Sequence, residues 1–429
     1  MGTRSEDVAG NVWRSRTVWD DLAALCATGG RFAGTESEAR ARQWARARLA
    51  EVTGAPVRSH AVAYEGWTRE SCVLTGPRGA MLRAHSLVWS PPTPPGGLEA
   101  EVVDLGRGTA EDFDANAAAI PGRIALVRHE YMFATGHVHR RRKYLWAKER
   151  GAVGFLIASP LPGQVLVTGS SGTGAADDIP AAGLTQESAA ALAGTGGHHA
   201  RARLEIGVRH APATAENLLA DIPGRGPEWV VLSAHLDGHD LGQSAMDNGS
   251  GVAVALEVAR VLGPLVPSLP RGLRVAFFSV EEWGLNGSRQ YVDGLPAAER
   301  DLVAVNVNLD SVVGSPSLTA LTSGFEDLDG LLHAAGAEVG VPLRTFRPVM
   351  ANSDHYNFAR HGIPAFRLVA GFDEPASQLR YLLTPADTLD KVAPGELKTA
   401  AMLCAELTLR ACTWPGRIAA RRPPLARAD

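Results

Sequence analysis

Residues 229–260, WVVLSAHLDGHDLGQSAMDNGSGVAVALEVAR, constrain this chain more than any other stretch. An apolar strand runs into His235, Asp237 and Asp247, and a glycine-rich helix start follows at once. Beyond position 213 the same alternation continues. ENLLADIPG, LRVAFFSV, LVAVNVNL and IPAFRLV are further strand candidates, and SRQYVDGL, LDGLLHAAGAEV and ELKTAAMLCAELTLRA are helix candidates. Strands alternating with helices predict an α/β fold, a mostly parallel mixed sheet sandwiched by helices. Such sheets bind ligands at the carboxyl ends of their strands.

A chain of 429 residues exceeds one average domain. Helices are expected over residues 14–53, broken at Gly29-Gly30, and an alternating strand over 54–75. The arginines Arg40, Arg42, Arg46 and Arg48 then form a solvated helix face. SPPTPPGG at 90–97 marks a change of texture. From there a separate unit spans 91–205, with strands at EAEVVDLG, RIALVRH and AVGFLIAS and a basic helix over 136–150. The PGRIALVRH and AVGFLIAS segments resemble those of a protease-associated domain, an insertion found in exopeptidases. Residues 1–90 and 206–415 then form the main domain, and 416–429 an Arg/Pro-rich polar tail.

With 21% charged residues, 45% hydrophobic residues and a formal net charge of -4, nothing favours nucleic acid as a partner. A small peptide or amide substrate is expected instead, with no membrane partner and the oligomeric state open. The cysteines Cys26, Cys72, Cys404 and Cys412 have no metal spacing and are too few for a disulfide framework. The first residues are polar, and no run reaches ~18 apolar residues, so a cytoplasmic, soluble protein is expected.

Strand candidates end at or near His235, Glu281-Glu282 and Asp310, and Asp247 opens the helix after His235. Singly, Asp247 is a helix cap, Glu281-Glu282 a solvated turn and Asp310 a loop residue. Together they place a histidine and several carboxylates along one sheet edge, where without cations the carboxylates repel one another. Zinc accepts His nitrogen and carboxylate oxygen. Asp247 is the candidate bridge between two ions, Glu282 a ligand, and Glu281 the group that takes a proton from metal-bound water. The expected chemistry is metal-assisted hydrolysis of an acyl bond.

HLDGHDLGQSAMDNGSG, SVEEWGLNGSRQY, NLDS and SDHYNFARHGIPA resemble, in that order, motifs of the co-catalytic zinc exopeptidases of the aminopeptidase Y and bacterial leucyl aminopeptidase type. The first is most similar to the plasma glutamate carboxypeptidase branch. The resemblance runs from the glycine-rich turn at 29–34 to DTLDKV at 387–392. It implies zinc, one or two ions per chain, with His235, Asp247, Glu282 and Asp310 as ligands, Glu281 as general base and Asp237 as the carboxylate orienting His235. It also implies a substrate-facing or catalytic role for Asp354, whose counterpart lines the pocket of the related glutaminyl cyclases.

One departure stands out. The family's last ligand is a histidine in a segment resembling HTxxDT, and here Leu383 takes its place in LLTPADT. Three outcomes remain open: a single-metal enzyme, a two-metal enzyme with a substitute ligand, or a degenerate site. His355 leads the substitutes, ahead of His239, while His333 and His361 read as surface or helix residues. The expected activity is hydrolysis of a terminal amide bond in a small peptide or peptide-like metabolite. A glutaminyl-cyclase-like acyl transfer and a non-catalytic peptidase-fold binding protein are the alternatives. A serine hydrolase is excluded by the lack of GxSxG, and nucleotide binding by the lack of both GxGxxG after a strand and GxxxxGK[ST].

Overall fold

The computed structural model describes residues 2–193 and 200–423. They divide into two compact units. The first contains the residues up to Tyr64, Thr214–Leu382 and those from Asp387 onward; the second contains Glu65–Ala213 and, from far along the chain, Leu383–Ala386. The second unit is therefore wider than the 91–205 segment that the proline-rich stretch marks. Its boundaries fall inside the long strands Val57–Thr75 and Arg201–Ile222, where no composition change signals them.

The first unit is built on a mixed sheet. Trp229–His235 lies at its centre, parallel to Gly272–Phe278 on one side and Val303–Leu309 on the other. Ala365–Ala370 continues parallel to Val303–Leu309. Leu318–Leu321 then runs antiparallel to it, with Leu343–Phe346 outermost. On the far side, the end of Arg201–Ile222 pairs antiparallel with Gly272–Phe278. Every residue of Gly272–Phe278 is buried, as a strand covered on both faces requires.

Helix Ser250–Leu262 is buried at every position except Arg260 and Val261. Such all-round burial marks a helix in the interior, and the one buried carboxylate in it, Glu257, is paired with Arg260. Pro394–Thr413 packs on it, opened by a proline whose missing N–H costs nothing at a first turn. Glu36–Thr53 is capped by Thr35, which accepts the Glu38 N–H, and ends at Gly54 with φ of 63°. Its arginines are less solvated than the charge run predicts. Arg42 and Arg46 reach Glu216 at 2.7 and 2.8 Å, and Arg48 reaches Asp21 at 2.8 Å, because long side chains find carboxylates brought in from distant segments. The chain also begins with a helix, Gly2–Arg14, over residues too polar to suggest one.

In the second unit Leu98–Asp104, Ile124–Arg128, Gly154–Ala158 and Ala181–Leu184 pair in parallel, and Ala84–Ser86 closes the edge antiparallel. Its core gathers Val103, Phe113, Tyr144 and Phe155 around the helix Arg140–Glu149, and Leu383 joins this cluster at 4% exposure. Lys143 is fully buried, yet its ammonium meets Glu130 at 2.9 Å and donates to the carbonyls of Arg107 and Arg128. No helix among the described residues is long and apolar enough to cross a membrane.

Candidate metal centre

His235 is the last residue of its strand, in register with Phe278. Its Nε2 lies 3.1 Å from Asp247 Oδ1, 3.5 Å from Asp310 Oδ1 and 4.0 Å from Glu281 Oε2. Parallel neighbours ending at one level bring these groups together: Leu309 precedes Asp310, and Phe278 leads through Ser279 and Val280 to Glu281. Two sets of donors lie close enough to share an ion, His235 with Asp247 and Asp310, and His235 with Glu281 and Glu282. Four ligands at ~2.0–2.1 Å from a tetrahedral zinc stand about 3.3–3.4 Å apart. The His235 separations of 3.1 and 3.5 Å bracket that edge, so the first set fits a divalent cation.

The electrostatics agree. Burial alone disfavours an imidazolium, but Glu281, Asp247 and Asp310 outweigh it and lift the His235 pKa well above its ordinary value. Glu281 is raised by burial and then by Glu282 and Asp354, against the pull of His235. Glu282 is raised by burial and then by the charge of Asp247. Glu281 and Glu282 are raised because burial strips water from their charged forms and neighbouring carboxylates repel them, and a cation held among them would offset both effects.

Each donor is held by its surroundings. Asp247 follows Ser244, whose φ is 49°, and the Asp247–Asn248 peptide is cis. Asp387 accepts the backbone N–H of Met246 at 2.8 Å and of Asp247 at 3.3 Å, so the DTLDKV segment holds this turn from below. Asn248 ties the helix start to the neighbouring strand end, donating to Leu309 O and accepting from Gly251 and Ser311. Asp310 accepts from Ser353 Oγ at 2.5 Å and faces Arg367 at 3.1 Å. Burial would raise the Asp310 pKa, but Arg367 and His235 hold it far below the carboxylate range.

Asp237 takes a different post from the one expected. Its carboxylate stands 3.8 Å from His235 Nδ1, while its own carbonyl oxygen is closer, at 3.1 Å. The carboxylate instead accepts the backbone N–H groups of Glu281 and Glu282 at 3.1 and 3.2 Å. The turn after Gly272–Phe278 passes through Val280 with φ of 57°, which aims both amides inward, and Asp237 is the acceptor they meet. Asp354 is wholly buried, accepts from Ser288 Oγ at 2.5 Å, and is pushed up to about 7 by burial.

The two substitute histidines separate. His355 is buried with neither ring nitrogen hydrogen-bonded, and belongs to neither donor set. Burial and the nearby Arg367 hold it at about 3. His239 is 3% exposed and places Nε2 2.7 Å from Glu282 Oε2.

Three residues support the site without having been assigned a role in it by sequence. Arg367 is a lone cation in the apolar strand Ala365–Ala370, a pattern that announces a buried partner. Arg31 is fully buried and donates to the carbonyls of Leu236, Gln243 and Ser244. Asp387 sits in a loop whose only sequence cue is its likeness to a motif.

Comparisons with known proteins identify the family and the fold. Residues 217–408 match peptidase family M28, and residues 98–192 match the PA domain. Aminopeptidase YwaD of Bacillus subtilis is 30% identical over 77% of this chain and 70% of its own length. Human carboxypeptidase Q is 29% identical over 72% of this chain and 66% of its own length. Among solved structures, a zinc aminopeptidase from Bacillus subtilis superposes with TM-score 0.74 at 25% identity, covering 95% of this chain and 97% of the other. A peptidase M28 precursor from Shewanella amazonensis reaches TM-score 0.82 at 24% identity, over 99% and 98%, and so shares the fold.

Proposed function

This chain belongs to peptidase family M28, carries a PA domain, and is a metal-dependent peptidase; on that premise we propose that it is a zinc aminopeptidase acting on small peptides. Zinc is supported by the donor chemistry, a buried imidazole facing carboxylate oxygens at tetrahedral spacing. His235, Asp247 and Asp310 would hold one ion, and Glu282 stands with His235 and Glu281 in the second donor set. When bound, such an ion would lower the pKa of a water toward ~7 and offer positive charge to the scissile carbonyl. Glu281 takes the proton from the attacking water and passes it to the leaving amine, while Asp237 fixes the backbone that aims Glu281.

The observation that carries the choice of end is the fate of the arginines. Arg31 is committed to three carbonyls and Arg367 faces Asp310. The groups around His235 are otherwise carboxylates, which attract a substrate ammonium and repel a terminal carboxylate. A free amino terminus is therefore the recognised end. Cleavage of aminoacyl p-nitroanilides compared with their N-acetylated forms tests this. Equal kcat/KM for the two sets, or preference for peptides with a free carboxyl terminus, would overturn it.

Neither the cyclase-like transfer nor the non-catalytic binding protein is favoured, since the relatives are peptidases and the donors retain ligand spacing. A cytoplasmic site of action belongs to the same proposal, supported by four free cysteine thiols.

A further inference from the structure

We propose that Arg31 is a positioning residue of the metal centre, whose guanidinium fixes the span between the donors His235 and Asp247. The inference rests on the metal-dependent reading above. His235 ends a strand, Asp247 lies in the helical turn that begins at Ala245, and their side chains meet at 3.1 Å. The segment between them, 236–244, holds no regular element. Its two ends are held from outside it.

Arg31 does this from a distant part of the chain. It is wholly buried, and donates from Nε to Leu236 O at 2.8 Å, from Nη1 to Gln243 O at 2.8 Å and from Nη2 to Ser244 O at 2.7 Å. Leu236 directly follows His235 and Ser244 shortly precedes Asp247, so one rigid planar group ties both ends of the loop. The loop answers with the Gly238 N–H, which donates to Arg31 O at 3.0 Å. Gly30 docks so closely that a Cβ there would stand 2.1 Å from His239 O, and glycine is what permits the approach. On the other side of Arg31, Phe32 sets its ring 5.0 Å from that of Trp283, the residue after Glu282. The Gly30–Phe32 turn thereby braces both the His235–Asp247 loop and the segment carrying Glu281 and Glu282.

The guanidinium meets carbonyl oxygens rather than a carboxylate, an expensive way to bury a charge. Burial disfavours its charged form, and Asp387, Asp237 and Asp247 are among the groups whose negative charges work the other way. Its charge and its hydrogen bonds push metal binding in opposite directions. A nearby cation repels a metal ion, whereas a braced loop presents ligands that lose little freedom on binding. Removing the side chain therefore weakens zinc binding if Arg31 acts through position, and strengthens it if Arg31 acts through charge. Lysine keeps the charge but offers its donors from one point instead of along a planar fork, so it cannot reproduce the span from Leu236 to Ser244.

Zinc affinity of full-length, metal-stripped protein, measured by competition with a chromophoric chelator, tests the inference together with the melting temperature before and after zinc is added. Arg31→Lys and Arg31→Met should each weaken zinc binding about 10–100-fold. The rise in melting temperature at a fixed zinc concentration should shrink in both, because that stabilisation follows the ratio of zinc to its Kd. Arg274→Lys, which disturbs a buried arginine bonded to Asp221 and Tyr291, is the control: it should lower the melting temperature and leave zinc affinity at the wild-type level. Unchanged zinc affinity in Arg31→Lys, or equal weakening in Arg274→Lys, would reduce Arg31 to a structural residue and overturn the inference. Tighter zinc binding in Arg31→Met would overturn it by assigning the effect to charge. Should Arg31→Met not fold, Arg31→Lys carries the measurement, since it keeps the buried charge. Wild-type protein that binds no zinc would instead remove the metal-dependent reading itself.

Discussion

The carboxylate of Asp237 accepts the backbone N–H of Glu281 at 3.1 Å, so a residue on the loop after one strand sets the direction of the base at the end of the next. Asp237→Asn keeps one acceptor oxygen but turns an N–H toward the second amide. Activity or metal affinity should fall about 10–100-fold, the usual effect of disturbing groups that orient ligands. Steady-state kinetics with zinc titration checks this; an unchanged kcat/KM and zinc affinity would mean that the turn holds without Asp237.

Glu281→Gln removes the proton acceptor and preserves shape. Turnover should drop by about 10²–10⁴-fold while zinc content stays at the wild-type level. Activity that survives would assign the base to another group, with Asp354 the nearest candidate.

Leu383→Ala should destabilise the protein by about 2–5 kcal/mol, through lost burial and the gap left in its cluster. Leu383→His should also lower the melting temperature, since a polar ring enters an apolar core, and should leave zinc stoichiometry unchanged. A gain of one ion per chain in that variant would show that the side chain reaches the metal centre after all.

Acid sensitivity of the second unit is expected to centre on Glu130. Burial raises its pKa, but hydrogen bonds from Lys143 and Arg107 more than offset this and hold it at about 2. A carboxyl depressed from 4.5 in this way stabilises the fold fully above about pH 4.5, and the contribution is lost as pH falls toward 2. Glu130→Gln should flatten melting temperature against pH across that window. At neutral pH the same variant should be the less stable one, because Lys143 is left buried without its carboxylate.

What sequence conveyed about this molecule follows from what kind of interaction each feature needs. Three strand ends with metal-binding side chains, at His235, Glu281-Glu282 and Asp310, were legible because each follows an apolar run, and a parallel sheet brings such ends to one edge. Leu318–Leu321 and Leu343–Phe346 escaped notice because four residues do not establish a period. Asp237 faces His235 at 3.8 Å, but its hydrogen bonds from the Glu281 and Glu282 amides were not legible, since those amides are aimed by the left-handed backbone at Val280. The 2.7 Å approach of His239 to Glu282 was not legible, because it depends on how the Arg31 turn packs against the loop, a contact between segments some two hundred positions apart. The extent of the second unit was hidden inside two long strands.

Leu383–Ala386 has a consequence for the order in which the chain matures. During synthesis the Glu65–Ala213 segment leaves the ribosome early, but one side chain of its interior arrives only after nearly all of the first unit's strands have been made. Vectorial folding of domains therefore cannot finish the second unit in sequence order. Its interior is sealed late, by a residue delivered along with the loop that holds Asp247 in place.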